Sequence, residues 1–255
     1  MADVTAAFLD NQQYSAGELR KYEAIYGRNF ISPGGADTAA EFVAILALSP
    51  GEYVLDIGCG FGGSAFLMAS KYRARVHGVD LSRNMIATAT TRCGEQELQG
   101  LVTFEQADGL ELAATAQYDA AYSRDVFLHI ADKAKLYAMI HRALVPGGRL
   151  LFTDYARCDG PRSNGFTDYV KQRGYHLLSI DEYRDGLLAA GFIDVVARDR
   201  SAQLLGIHEA ELVAMQNDPE IKDIAGDFIE LWKAKITRIR SGEHRWVLVT
   251  GKTPA

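Results

Sequence analysis

The sequence predicts an α/β protein with a mostly parallel seven-stranded sheet and helices on both faces. Short apolar runs rich in β-branched residues alternate with longer stretches of helical periodicity, an order typical of βαβ units. A glycine-rich turn follows the first apolar run and leads into a helical pattern. In open α/β sheets, ligands bind beyond the carboxyl ends of the strands, so this turn marks a candidate site.

Strands and helices are predicted to alternate from residue 53 to the end of the chain. The predicted helices lie near residues 62–72, 83–92, 132–144 and 180–190. The predicted strands lie at residues 53–57, 75–79, 102–107, 118–122, 149–154, 192–198 and about 245–252.

Residues at the ends of these helices support the assignment. Ser82 is placed as an N-cap, and Ser179 with Glu182 forms the pattern of a capping box. Gly191 follows an apolar helix, as a C-terminal glycine does. The Pro-Gly-Gly sequence at residues 146–148 is expected to close a helix and turn the chain into the next strand.

Two segments lie outside the alternating core. The leading segment to residue 48 is expected to hold two helices joined near residues 29–35, and residues 156–178 carry few regular signals. We expect a single domain, residues 1–255. It divides into an N-terminal helical lid (1–48), a ligand-binding core (49–155), and a capping insertion with the C-terminal part of the sheet (156–255).

Composition and charge exclude several classes of protein. Apolar residues make up 48% of the 255 residues, an ordinary soluble balance, and the net charge of −6 disfavours broad nucleic-acid binding. The three cysteines form no C-x-x-C pair, which favours a reduced, cytoplasmic protein. No secretory pattern begins the chain and no run of 18 apolar residues occurs, so membrane insertion is not expected.

Three carboxylates follow or end neighbouring strands near the glycine-rich turn VLDIGCGFGG at residues 54–63. Asp56 precedes the glycines, Asp80 ends the second strand, and Asp108 follows the third. A pyrophosphate would be repelled by Asp56, which disfavours a nucleotide-dependent dehydrogenase. A ligand with hydroxyl groups, an amine and a positive charge suits these acids better than a pyrophosphate does. The plainer alternative is that the acids are surface caps and the glycines an ordinary turn.

Over about residues 50–155, this combination resembles the class I S-adenosylmethionine-dependent methyltransferases. The resemblance implies a Rossmann-like fold that binds S-adenosyl-L-methionine without a metal. It also implies that Asp56, Gly58 and Gly60 line the amino-acid end of the cofactor, that Asp80 holds its ribose, and that Asp108 contacts its adenine.

Over nearly the whole chain, the sequence is similar to the phosphoethanolamine N-methyltransferases, which convert phosphoethanolamine towards phosphocholine. The likeness rests on NQQY at 11–14, FISPGG at 30–35, YSRDVFLHI at 122–130, YVKQRGY at 169–175 and WKAK at 232–235. It extends to TDY at 153–155, whereas residues 200–230 depart from the family.

The family resemblance implies a role for each matching residue. Tyr14 and His129 form a catalytic pair that assists removal of a proton from the amine. The other residues are assigned to the substrate amine (Gln13, Tyr14, Asp125, His129), to the phosphate (Tyr155, Arg173, Tyr175, Lys235) and to the remaining cofactor pocket (Tyr14, Ile31, Ser32, Leu81, Gly109, Arg124). Lys235 is placed by spacing alone.

The chemistry of these residue types agrees with the assignment. A phosphomonoester needs cations and hydroxyl donors, which arginine, lysine and tyrosine supply. A primary ammonium must lose a proton before it attacks a methyl group, and His129 has the right basicity at neutral pH. Direct in-line transfer then depends on alignment. Each residue also has a plainer interpretation: His129 as a core histidine, Tyr14 and Tyr155 as core aromatics, and Arg173 as part of a solvated face.

Two alternatives stay open. The chain could methylate another small amine, such as glycine, sarcosine or dimethylglycine, which would not need the cationic tyrosine-rich cluster. It could also bind S-adenosylmethionine without catalysis, although Tyr14 and His129 argue against this. The sequence does not determine the methylation step or the oligomeric state; the expected partner is a small phosphobase.

Overall fold

The protein is described here from a computed structural model, which describes residues 16–255. Seven strands form one sheet: β1 (Tyr53–Ile57), β2 (Arg75–Asp80), β3 (Val102–Gln106), β4 (Tyr118–Arg124), β5 (Leu144–Arg157), β6 (Ile193–Asp199) and β7 (His244–Lys252). Their order is β3-β2-β1-β4-β5-β7-β6. The first five strands are parallel, and β7 runs antiparallel between β5 and β6.

Helices surround this sheet. They are α1 (Ala16–Tyr26), α2 (Gly35–Ile45), α3 (Gly63–Tyr72), α4 (Arg83–Glu95), α5 (Lys133–Ala143), α6 (Asn164–Arg173), α7 (Ile180–Ala189), α8 (Ser201–Asn217), α9 (Pro219–Ala225) and α10 (Ile229–Arg240). Short 3-10 turns lie at Gly109–Glu111, Phe127–His129 and Gly226–Phe228.

Alternating strand residues build a core on each face of the sheet. Val54 packs with α2 and α3, whereas Leu55 packs with α5 and α7 on the other face. This is the two-residue period of a strand that is buried on both sides. The prediction of a mostly parallel seven-stranded sheet with helices on both faces is confirmed.

The strand and helix predictions agree with the structure to within a few residues, apart from the start and end of β5. Ser82 caps α4 by accepting a hydrogen bond from the Met85 N–H, and the Ser179–Glu182 capping box is present at α7. Gly191 has φ of 93° just beyond α7. These local signals act over three or four residues and were therefore readable from the sequence.

The prediction that residues 146–148 form a turn ahead of the strand is wrong. These residues lie inside β5, which starts directly after α5 ends at Ala143. The register of β4 against β5 jumps from Leu144 to Arg149, and β7 pairs with β5 only from Arg149 onward. Pro146 therefore lies where the sheet requires no N–H donor.

Two regions with weak sequence signals are helical. Residues 156–178 contain α6, whose N-cap Ser163 accepts a hydrogen bond from the Phe166 N–H. Phe166 is the only fully buried residue of α6, so its apolar periodicity is weak. Residues 200–230 contain α8 and α9, which pack against α10 and α1. No helix in the described part of the chain is long and apolar enough to cross a membrane.

Candidate active site

A cavity of about 470 Å³ lies at the carboxyl ends of the parallel strands. Its walls come from the glycine-rich turn, the ends of β2, β4 and β5, and side chains of α1, α6 and α10. Of the eighteen predicted site residues, Gln13 and Tyr14 lie outside the described residues. The other sixteen all line this cavity: Ile31, Ser32, Asp56, Gly58, Gly60, Asp80, Leu81, Asp108, Gly109, Arg124, Asp125, His129, Tyr155, Arg173, Tyr175 and Lys235.

The glycine-rich turn is held by short contacts that only glycine permits. Gly58 has φ of 70°, and a Cβ there would lie 2.3 Å from a methyl of Val126. The Gly60 N–H donates to Asp80 at 3.0 Å, and the Ser82 N–H donates to the other Asp80 oxygen at 2.9 Å. The carboxylate of Asp80 therefore fixes the turn to the end of β2.

Asp56 is a buried carboxyl group beneath the turn. Its Oδ2 has no hydrogen-bond partner among the described residues. Burial and the nearby Asp80 charge raise the pKa of Asp56 to about 7, and Arg124 acts in the opposite direction. An unpartnered buried carboxyl group of this kind favours a cationic or hydrogen-bond-donating ligand group.

Arg124 is predicted to complete the cofactor pocket, and its buried guanidinium also binds the segment before α2. It donates to the carbonyl oxygens of Pro33 (2.8 Å) and Gly35 (3.2 Å) and to the Thr38 hydroxyl (2.7 Å). These bonds anchor the chain immediately after Ile31 and Ser32. Asp108 lies opposite and caps the Gly109–Glu111 turn by accepting the Leu110 N–H at 2.9 Å.

Asp125 lies in the middle of the cavity in a strained backbone conformation. Its φ is 55°, an uncommon value for a residue other than glycine. Its Oδ1 accepts hydrogen bonds from the Trp246 indole (2.7 Å) and the Thr153 hydroxyl (3.1 Å). Its Oδ2 is buried without a partner in the described chain, and burial raises its pKa.

His129 ends the short turn after β4 and faces the same space. Burial lowers its pKa to about 4, and the charges of Lys133 and Arg173 act in the same direction. The imidazole is therefore neutral at pH 7, and it is a weaker base than the ordinary value near 6.5 led us to expect. Its Nδ1 has no partner within residues 16–255, and its ring meets Tyr175 edge-on with centroids 5.4 Å apart.

The far end of the cavity is cationic and rich in tyrosine. Lys235 is 7% exposed, and its Nζ lies 3.7 Å from the centroid of the Trp232 ring. Burial lowers the pKa of Lys235 to about 7. Arg173 hydrogen-bonds Tyr22, and Tyr155 and Tyr175 complete this wall. A phosphate group would add negative charge here to that of Glu211 and Asp125, which already act on Lys235.

Four contributors were missed. Tyr22 and Tyr26 line the cavity from α1, with their rings stacked 6.0 Å apart, and their spacing of four residues on one helix was a readable signal. Trp246 and Glu211 support the site through distant partners, which no local pattern reveals. Glu211 accepts the Trp232 indole N–H at 2.8 Å and the Gly34 N–H at 3.1 Å.

Trp232 and Trp246 are both fully buried. Each indole N–H nevertheless binds a buried carboxylate next to or within the site. Within the described residues, no group of three or more His, Cys, Asp or Glu side chains is arranged to hold a metal ion.

Comparisons with known proteins place this geometry in context. A methyltransferase-domain family model matches residues 54–148. Phosphoethanolamine N-methyltransferase 1 of Zea mays is 42% identical over 249 residues, which cover 95% of this chain and 49% of that protein. The chain thus spans about half the length of the plant relatives it matches. The phosphoethanolamine N-methyltransferase of Plasmodium falciparum is 34% identical, over 94% of this chain and 92% of that one.

A solved structure shows the same fold. Phosphoethanolamine N-methyltransferase 2 of Haemonchus contortus, in complex with phosphomonomethylethanolamine and S-adenosylhomocysteine, matches with a TM-score of 0.94 and 34% identity. The match covers 99% of this chain and 61% of that one. The chain has the class I methyltransferase fold and belongs to the phosphoethanolamine N-methyltransferase family.

Proposed function

We propose that this protein transfers a methyl group from S-adenosyl-L-methionine to the nitrogen of phosphoethanolamine or of its mono- and dimethyl forms. The observation that supports this most directly is that one cavity contains both a glycine-rich turn with an unpartnered carboxyl group and, on another wall, the buried Lys235 with Arg173. His129 and Asp125 lie between them. The names of the family members support the same activity.

The residues at the turn fit S-adenosyl-L-methionine. Asp56 Oδ2 offers an acceptor for the amino group of its methionine part, and the glycines leave room that a Cβ would fill. We assign Asp80 to the ribose and Asp108 to the adenine. When bound, this molecule supplies a methyl group on a positively charged sulfur that is open to in-line attack.

At the amine end, His129 prepares the nucleophile. The neutral imidazole accepts a proton from the substrate ammonium, directly or through Tyr14, and leaves a lone pair on the nitrogen. The unpartnered oxygen of Asp125 orients the ammonium and stabilises positive charge as methyl groups accumulate. The aromatic faces of Tyr22 and Tyr26 suit a quaternary product.

At the anion end, Arg173, Lys235, Tyr155 and Tyr175 hold the phosphate. A phosphate beside Lys235 raises the pKa of that lysine back towards its ordinary range, because an opposite charge favours the ammonium form. Binding of the phosphate therefore relieves the cost of a buried lysine whose charge Glu211 and Asp125 stabilise only in part.

The assigned site roles, the single-domain organisation with residues 1–48 as a lid, and a cytoplasmic location remain proposals. The contacts of α1 with Trp232 and Phe228, beside the anion end, support a lid. Three free cysteines at Cys59, Cys93 and Cys158 support a reducing location.

Calorimetric titration tests the substrate class. The purified chain is titrated with phosphoethanolamine and with phosphocholine in the presence of S-adenosylhomocysteine, and with sarcosine and dimethylglycine as phosphate-free controls. We expect binding of the phosphobases only. Separate reactions with S-adenosyl-L-methionine should then show stepwise methylation of phosphoethanolamine by mass spectrometry. Binding of sarcosine or dimethylglycine alone would assign the acceptor to another small amine.

A further inference from the structure

We propose that Lys133 is a positioning residue for His129, because its ammonium joins the segment that carries His129 to the segment that carries Tyr175. The inference deepens the proposed function and rests on it for the role of His129. Lys133 does not line the cavity, and no role follows for it from the family resemblance.

The joining contacts are hydrogen bonds to backbone carbonyl groups. Lys133 Nζ donates to the carbonyl oxygen of Ile130, the residue after His129, and at 3.0 Å to that of His176. The His176 N–H in turn donates to the Leu128 carbonyl at 2.7 Å. Residues on both sides of His129 are thus tied to the residue after Tyr175, and the His129 and Tyr175 rings pack edge to face.

The position is a costly one for a lysine. Lys133 is the first residue of α5, where the helix dipole opposes a positive charge, and its side chain is 8% exposed. Burial lowers its pKa to about 8. A neutral residue would avoid both costs, so the ammonium is explained by the two carbonyl groups it joins rather than by packing.

Asp154 on β5 supplies a carboxyl group that acts on the Lys133 ammonium. Its Oδ2 accepts the Tyr183 hydroxyl at 2.5 Å, its Oδ1 accepts the Tyr155 N–H at 3.0 Å, and its charge acts on Lys133. Burial raises the pKa of Asp154 to about 7. Because Tyr155 lines the anion end, this pair connects the backbone at both ends of the substrate region.

The groups that act on the charge of His129 come from three neighbouring segments. Lys133 lies on α5, Arg173 ends α6, and His176 follows α6, and all three lower the pKa of His129. Removal of the Lys133 charge therefore raises the pKa of His129. A packing defect that admits water would also raise this pKa, because burial is the largest cause of its lowering, so the charge-keeping variant Lys133→Arg is needed to separate the two effects.

The test compares Lys133→Met, which keeps the length of the stem, with Lys133→Arg, which keeps the charge and the donors. Lys233→Met is the matched control, since Lys233 is exposed and pairs with Glu230 on the surface. The His129 pKa is measured by NMR titration of histidine-labelled protein without substrate. Phosphoethanolamine kinetics are measured across pH, and S-adenosylhomocysteine affinity by calorimetry.

We expect Lys133→Met to raise the His129 pKa and to lower kcat roughly tenfold through misalignment. The acid limb of kcat/KM moves to higher pH, and S-adenosylhomocysteine affinity is unchanged. Lys133→Arg restores the pKa, and Lys233→Met behaves as the wild type. An unchanged His129 pKa in folded Lys133→Met, or wild-type kcat, overturns the proposal.

Two results distinguish a failure of this proposal from a failure of the proposed function. If the wild type methylates no phosphobase, the proposed function fails, whereas the NMR titration still tests the link between Lys133 and His129. If Lys133→Met does not bind S-adenosylhomocysteine, the same titration is made on Lys133→Gln, which keeps an amide donor without the charge. A His129 pKa equal to that of the wild type in Lys133→Gln overturns the proposal.

Discussion

The cofactor end of the cavity comes from consecutive βα units, whereas the anion end is assembled from elements far apart in the chain. Gly60 and Asp80 hydrogen-bond each other across neighbouring strands. Arg173 and Lys235 instead come from α6 and α10, and burial lowers the pKa of Lys235. The glycine-rich turn at the first end is held by satisfied backbone contacts, with one unpartnered oxygen at Asp56 beneath it. The second end keeps a buried lysine charge for a ligand to neutralise.

This difference shows which part of the site keeps its shape without a bound ligand. The glycine-rich turn is determined by local geometry, so its shape exists before any ligand binds. At the anion end, the carboxylates of Glu211 and Asp125 raise the pKa of Lys235 less than burial and the nearby arginines lower it, so a bound anion still adds stabilising charge. The variants below test this contrast from the largest expected effect to the smallest.

His129→Asn removes the proposed base that lies between the two ends. We expect kcat to fall by about 10²- to 10⁴-fold, the usual contribution of general-base catalysis. Affinities for S-adenosylhomocysteine and phosphocholine should stay near wild type, because His129 belongs to neither anchoring end. Steady-state kinetics and calorimetry measure the two effects separately.

His141→Gln is the control for this variant, since His141 lies on α5 against Phe192 and away from the cavity. A His129→Asn enzyme that keeps wild-type turnover would remove His129 from the mechanism.

Gly58→Ala tests the cofactor end. The new Cβ lies 2.3 Å from a Val126 methyl, and the alanine must adopt the φ of 70° found at Gly58. Together these cost about 2–4 kcal/mol. We expect lower S-adenosylhomocysteine affinity, lower thermal stability, or both. Gly100→Ala is the matched control, because a Cβ there meets no atom within 4 Å. Equal behaviour of the two variants would show that the turn is not rigid.

The contrast between the ends also explains what could be predicted from the sequence. The strands, the caps and the glycine-rich turn follow from patterns that span a few residues, and the structure contains them near the expected positions. The bulge at residues 146–148 was missed because the pairing of β4 with β5 determines it. Helix α6 was missed because Phe166 is its only buried residue, which leaves little apolar periodicity to read. Tertiary pairing overrides local propensity at both places.

The substrate end was reached only through family resemblance. Asp125 depends on Trp246, a residue 121 positions away, and Trp232, which lies against Lys235, depends on Glu211, a residue 21 positions away. No spacing rule joins such residues. The family resemblance named side chains that line the cavity. The carboxylates and indoles that support them, and Lys133, could be identified only from the three-dimensional structure.

Arg173→Met tests the anion end. Loss of a charge-assisted hydrogen bond to phosphate costs about 1.5–3 kcal/mol, so we expect KM for phosphoethanolamine to rise about 10- to 150-fold with S-adenosylhomocysteine affinity unchanged. Lys171→Met is the control on the same helix, because Lys171 is exposed to solvent. An unchanged KM would place the phosphate away from Arg173.

His244→Phe tests the stability cost of the anion end. His244 is buried against Tyr155 and Tyr169, and neither ring nitrogen has a partner among the described residues. Burial lowers its pKa to about 3, with further lowering by Arg238, His208 and Lys235. Since the folded pKa is below the unfolded value near 6.5, the unfolded chain binds protons more readily as pH falls through 6.5.

This single site therefore reduces the free energy of unfolding by about 1.4 kcal/mol when pH falls to one unit below 6.5. Denaturant titrations of the wild type and of His244→Phe, at neutral pH and in mild acid, measure the difference. We expect the variant to lose less stability in acid, while His129 and His208 contribute equally to both proteins. Parallel losses would show that His244 finds a proton acceptor within the fold, and the anion end would then not be the electrostatically costly half of the cavity.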